Sequence, residues 1–306
     1  MSNLAKLTNE EIIEKYLYRY RHSKQSIKTR KSSLNYFFNK KYFGFENHIS
    51  EIGKNILMDY FDYLNHLETI SLTTKKLKWT FLKGLIEFCM EYYDDFIIKI
   101  PKRSISWSKI HKEPNTNKDI VMTKGEVKKI LTYLKFNHYS YYLIFRIFAE
   151  TGMRKGELIA IDYDKVNLSK RYIETIGKTG KKVYYFSKDL TKYLKVYLKE
   201  RELKIKNVDT KALFLSNQIR RYSKRNFNDY LKRILDKLGI QKNITCHTFR
   251  KSLNTFRKLM DCPKEDRKIL INHKTKDVNV NSYVKLNYDE YLDLYDKWYP
   301  YSNLNF

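Results

Sequence analysis

Between residues 10 and 95, apolar side chains recur at helical spacing in four successive stretches, and after residue 100 that rhythm stops. A chain that changes its hydrophobic period midway folds as more than one kind of unit. The first stripe is Ile13, Tyr16, Leu17 and Tyr20, at i, i+3, i+4 and i+7. Leu34, Phe37 and Phe38 form the second, after the polar run Ser26 to Lys31. Ile56, Leu57, Tyr60, Phe61, Leu64 and Leu67 make the third, and Leu77, Phe81, Leu85, Phe88 and Tyr92 the fourth, with Thr73 and Thr74 as candidate N-caps. Short polar connections between the stripes predict a small four-helix bundle.

Residues 100–119 carry no such pattern. Pro101 and Pro114 bracket a basic, polar stretch, read as an interdomain linker over 101–118 that either lies along phosphates or is simply solvated. This gives a helical domain at 1–100 and a second domain at 119–306. The second opens on Thr123-Lys124-Gly125-Glu126, a capping box ahead of Val127, Ile130, Leu131 and Leu134. An apolar helix runs from Tyr141 to Ala149 and ends at Gly152. Two alternating runs, 171–176 and 182–186, flank Gly177-Lys178-Thr179-Gly180 and predict a β-hairpin. Helices follow near 189–204, 224–238 and 247–260, and an amphipathic one at 289–299 carries Tyr291, Leu294, Tyr295 and Trp298 on one face. The fold class is mainly α with a small β-sheet.

Charge separates the two segments as well. The formal net charge is +27; residues 1–100 carry net +4 and residues 101–306 net +23. A field of that size and sign calls for a polyanionic partner, with nucleic acid ahead of an anionic membrane or a merely solvated surface. With 42% hydrophobic residues the chain can bury real cores, which excludes a disordered tail, and 9 Gly with 4 Pro exclude collagen-like repeats. No apolar run reaches the ~18 residues of a membrane span. The start, Met1-Ser2-Asn3-Leu4, runs into a charged helical pattern, so no secretory leader is expected. Three cysteines, Cys89, Cys246 and Cys262, at no metal-like spacing fit a reduced, cytoplasmic protein with inert core thiols.

Chemistry-bearing residues appear in a set order. Arg154 lies in Thr151-Gly152-Met153-Arg154-Lys155-Gly156-Glu157-Leu158, and Lys178 at the hairpin tip. His247 and Arg250 stand at i and i+3 in His247-Thr248-Phe249-Arg250, on one side of a helix. His273 closes Leu270-Ile271-Asn272-His273, and Tyr283 follows ten residues later in Asn281-Ser282-Tyr283-Val284-Lys285. In these boxes, taken in this order, the chain resembles the tyrosine recombinases: phage integrases and Xer-type recombinases, archaeal members in particular. The resemblance covers nearly the whole chain. It implies a SAM-like, four-helix core-binding domain followed by an α+β catalytic domain, closing on double-stranded DNA as a C-shaped clamp. By motif, Arg154 and Arg250 are the two catalytic arginines, Lys178 the hairpin lysine, His247 and His273 the two histidines, and Tyr283 the nucleophile. Glu157 falls at the acidic position that orients Arg154. Two departures stand out: Asn272 replaces the usual glycine, and the His273–Tyr283 spacing exceeds the bacterial one by one residue.

The chemistry needs such a set. Attack of a tyrosine hydroxyl on a phosphodiester builds charge on the non-bridging oxygens, which two guanidinium forks can match. A phenol with an ordinary pKa of about 10 needs a base, for which His247 is the candidate. His273 would donate to the same phosphate, and Lys178 would protonate the leaving 5′ oxygen. The implied product is a 3′-phosphotyrosyl link, so rejoining requires no metal, ATP or other cofactor. Lys181 and Lys182 compete with Lys178, and are read as facing phosphates or solvent; Tyr288 is the substitute nucleophile. A metal-dependent nuclease fails on ligand spacing. A type IB topoisomerase-like relaxing enzyme and an inactive DNA-binding protein of the same fold stay open as alternatives. The resemblance further implies a specific recombination site, a monomer that becomes a homotetramer on DNA, and a C-terminal helix that docks either on a neighbouring protomer or on its own domain.

Overall fold

A computed structural model describes residues 4–101, 120–177, 180–205, 208–223, 226–273, 287–304 and 306. The chain divides between Pro114 and Asn115 into two units. That division falls in the stretch read as a linker, whose residues 102–119 lie outside the described ones.

The first unit contains α1 (Asn9–Tyr18), α2 (Lys24–Phe38), α3 (Lys54–His66) and α4 (Leu72–Tyr92). Local chemistry sets their starts. Thr8 caps α1 in a reciprocal box with Glu11, and Ser23 caps α2. The cap of α4 is Ser71, which accepts from Thr74 N–H, so the Thr73/Thr74 reading is two to three residues late. The stripe read for α4 is also corrected. Leu85 and Phe88 of that stripe are buried, but the face also takes in Trp79, Leu82, Ile86 and Cys89, while Leu77 and Tyr92 are exposed. Adjacent helix positions point about 100° apart, so the buried face is wider than the stripe and turned away from Leu77 and Tyr92. These side chains close on Ile12, Leu34, Phe37, Leu57, Tyr60 and Leu64 as one core.

The second unit is built around α6 (Tyr139–Thr151), whose residues Tyr142 to Thr151 are all buried. It packs against α5 (Lys124–Asn137), which opens on the expected Thr123–Glu126 capping box, and against α8 (Lys188–Lys204) and α10 (Cys246–Lys258). The sheet is antiparallel in the order β1 (Val166–Asn167), β2 (Tyr172–Gly177), β3 (Gly180–Tyr185). The register Gly177↔Gly180 makes the predicted hairpin tight and sets Thr175 opposite Lys182 and Ile173 opposite Tyr184. Short helices α7 (Lys155–Ile159) and α11 (Lys264–Leu270) were not legible as separate elements, being too short to show a period. α9 (Asn226–Lys237) and α12 (Tyr288–Lys297) complete the unit.

Of the two placements left open for the C-terminal helix, α12 packs on its own unit. Tyr295, 2% exposed, packs with Tyr185 and Leu270. Its hydroxyl and that of Tyr299 both donate to the buried carboxylate of Glu150, at 3.3 and 3.1 Å. Glu150 is fixed in turn by Arg146 Nε at 2.8 Å and Ser187 N–H at 2.9 Å. Arg171 pairs with Asp296, and Trp298 Nε1 donates to Asp266. An apolar face with buried polar anchors has its partners already. All three cysteines are unpaired and buried, and burial pushes the Cys246 thiol up to about 12.

Candidate active site

Three segments far apart in sequence meet at Gly152. α6 stops there because Gly152 adopts φ +63°, a left-handed conformation that costs other residues about 1–2 kcal/mol. A Cβ at Gly152 would lie 3.1 Å from Leu253 Cδ2, 3.4 Å from Ile271 Cγ2 and 3.5 Å from Arg250 Cγ. The glycine therefore admits α10 and the end of α11 to the same turn. Arg250, 5% exposed, donates from Nη1 to the Gly152 carbonyl at 2.7 Å. Its Nη2 is buried with no acceptor in hydrogen-bonding geometry.

Two residues beyond Gly152, Arg154 caps α7. Its backbone N–H donates to Glu157 Oε2 at 2.7 Å and its Nη1 to Oε1 at 3.2 Å, while the side chain stays 46% exposed. Glu157 is buried and saturated. Lys182 Nζ reaches Oε1 at 2.6 Å and the Tyr184 hydroxyl donates to Oε2 at 2.8 Å. Thr175 Oγ1 donates to the Glu157 carbonyl at 2.7 Å. Burial opposes ionisation of Glu157, but Lys182, the Arg154 N–H and Tyr184 outweigh it and hold its pKa below the usual carboxylate value. Gly177 is required by this pair: a Cβ there would stand 2.8 Å from both Glu157 Oε1 and Lys182 Cε.

The structure overturns the reading of Lys182 as facing phosphate or solvent. It is 6% exposed and committed to Glu157, since strand alternation turns residues 182 and 184 inward and Lys181 outward. Lys181 is exposed and pairs with Glu174 at 2.9 Å. Lys178 and Tyr283 lie outside the described residues. Tyr288, the substitute nucleophile, stacks on Tyr172 at 5.0 Å and directs its hydroxyl to Glu174 at 3.4 Å. Lys182, Tyr184 and Thr175 were missed as site residues. The available signal was a lysine at a core-facing register position of a strand.

His247 and His273 are both solvent-exposed and border the arginines. Partial desolvation of the ring lowers the pKa of His247, and Arg250, Lys251 and Arg154 lower it further. Burial likewise lowers that of His273, with help from Arg250, Arg154, Lys268 and Lys182. Arg154 also depresses Arg250, after burial, which places the two guanidinium groups within electrostatic reach of one another. The result is a basic cluster of two arginines and two imidazoles biased to the neutral form. It can bind an anion through Arg154 and Arg250 while an uncharged imidazole accepts or donates a proton. Among the described residues, no three His, Cys, Asp or Glu side chains gather to hold a metal ion.

Known proteins resemble the chain in fold and in sequence. The fold is that of a solved structure of the XerH site-specific recombinase bound to palindromic difH substrate, with a TM-score of 0.67 at 18% identity, covering 94% of this chain and 80% of that one. The tyrosine recombinase XerD of Staphylococcus saprophyticus is 30% identical over 138 residues, 42% of this chain and 47% of that protein. The chain thus matches less than half of that relative's length. The tyrosine recombinase XerC of Leptospira interrogans is 23% identical over 254 residues, covering 80% of this chain and 78% of that one. These relatives are bacterial, and nothing among them supports the archaeal placement. The model of the phage integrase family matches residues 121–290, more than half of the sequence, and the chain belongs to that family.

Proposed function

We propose that the chain is a site-specific DNA recombinase that cuts and rejoins strands through a tyrosyl–phosphate ester. The observation that carries this reading is the buried, unpaired Nη2 of Arg250 beside an exposed Arg154. A desolvated guanidinium N–H without an acceptor is costly, and a phosphate oxygen supplies one.

Tyr283 Oη attacks the scissile phosphorus and loses its proton to His247, which its depressed pKa keeps free to accept it. The P–O5′ bond breaks, and Lys178 gives the leaving 5′ oxygen its proton. Arg154 and Arg250 neutralise the charge on the non-bridging oxygens, a role worth about 10²–10³ in rate for each such donor in other enzymes. His273 adds a neutral donor. The ester retains the energy of the original bond, so a 5′ hydroxyl from a second duplex can displace Tyr283 without a cofactor. The helical unit and the linker at 101–118 would add phosphate and groove contacts, and four copies would assemble on a specific double-stranded site from monomers in the cytoplasm.

Covalent capture tests this. Source-genome DNA is incubated with the protein, the adducts are isolated under denaturing conditions, and the captured sequence is rebuilt as a nicked duplex. The wild type should accumulate a covalent adduct on that duplex and Tyr283→Phe none. An adduct with both variants reassigns the nucleophile; no adduct with the folded wild type refutes the reading. Plasmid relaxation without exchange between two marked sites would point to a relaxing enzyme instead.

A further inference from the structure

The position before His273 carries asparagine, and its surroundings give that residue a task. α11 ends in a Schellman motif: the His273 N–H bonds to the Lys268 carbonyl and the Asn272 N–H to that of Ile269, both at 2.9 Å. Asn272 therefore sits at the left-handed position, with φ +50°. Glycine meets that backbone requirement without strain, and asparagine is the side chain that tolerates it best. What asparagine adds is a donor. Its Nδ2 reaches the Val183 carbonyl at 2.7 Å. Val183 lies on β3, an edge of the sheet, between Lys182 and Tyr184, the two residues that lock Glu157. The same few residues of β3 thus hold the first arginine box through Glu157 and the second histidine box through Asn272.

Building on the recombinase reading, we propose that Asn272 is a positioning residue for His273, its amide tying the histidine's backbone to β3 so that the imidazole keeps a fixed place beside Arg154 and Arg250. A glycine would leave the turn intact but lose the tie. His273 is exposed and held by its backbone, so the restraint on residue 272 bears directly on where its ring stands.

The test is single-turnover cleavage of the captured nicked duplex by the full chain, with wild type, Asn272→Gly, His273→Ala and the double variant. Asn272→Gly keeps the left-handed turn; Asn272→Asp, similar in size but unable to donate, guards against a folding defect in the glycine variant. The expected result is cleavage about tenfold slower at saturating DNA, the lower end of the loss seen when a group that orients a metal-ligating histidine is removed. Half-saturation by DNA should be unchanged. In the His273→Ala background, Asn272→Gly should cost nothing further, because its effect passes through His273. Wild-type rates in Asn272→Gly and Asn272→Asp overturn the proposal, and so does a loss that multiplies undiminished onto His273→Ala, which marks a merely structural role. If the folded wild type itself forms no adduct, the recombinase reading fails and takes this inference with it; an adduct with wild type separates the two.

Discussion

The Lys182–Glu157 pair is the point at which the frame of the site can be weighed. Both side chains are buried, 6% and 4% exposed, with Nζ 2.6 Å from Oε1. Removing Glu157 leaves the Lys182 ammonium desolvated and alone, which costs about 3–5 kcal/mol, and removing Lys182 leaves the Glu157 carboxylate only its longer ion pair with Arg154. A unit the size of Asn115–Phe306 loses about 2–4 °C of melting temperature per kcal/mol. Lys182→Met and Glu157→Gln should therefore each lower its transition by about 6–20 °C in differential scanning calorimetry of the full chain. The double variant carries no stranded charge, and methionine fills the space of the lysine stem, so it should recover at least half of the loss. A lysine directed to solvent would give a change within about 0.5 kcal/mol. Single variants melting within 2 °C or so of wild type, or a double variant that falls by the sum of the singles, would refute the buried pair.

Two further outcomes follow from the same geometry. Gly152→Ala forces a Cβ to 3.1 Å from Leu253 Cδ2 at φ +63°, and the left-handed penalty alone is about 1–2 kcal/mol; the transition should drop by several degrees and cleavage should slow, while unchanged values would show that the turn can relax. His247 and His273 have folded-state pKa values below 6.5, through burial first and neighbouring cations second, so the unfolded chain binds more protons as pH falls. Stability should be level above about pH 6.5 and decline below it, and replacing both histidines with alanine should flatten that decline in urea titrations at pH 7.5 and 5.5.

The order of boxes was legible because each is a local signal: a helix-ending glycine before Arg154, an i, i+3 pair on α10, a hairpin bounded by glycines. What the sequence hid depends on register and rotation. Lys182 could be placed inward only once its strand was paired opposite Thr175, because a one-residue slip would have turned it out. The ends of the α4 stripe failed for the same kind of reason, with Leu77 and Trp79 both apolar and only the packing partners choosing between them. Asn272 looked like a blemish in its box. It became intelligible when the backbone showed a left-handed turn and the side chain showed a donor bond across 89 residues of chain.

The two arginines are handled differently, and desolvation explains why. Placing two guanidinium groups together with a single carboxylate leaves excess positive charge, and burying both would cost several kcal/mol for each unpaired ion. The fold buries only Arg250, offsetting part of that cost with the Gly152 carbonyl and the neighbouring Tyr184, and leaves Arg154 in water, attached to Glu157 by a longer contact of 3.2 Å. Repulsion between them is thereby weakened by solvent while the site is empty of anion. The buried arginine has few alternative positions and sets the geometry; the exposed one can adjust as an anion arrives and water leaves. Orientation is fixed where the chain can hold it at least cost, and on the proposed reading charge is concentrated only as a phosphate arrives to meet it.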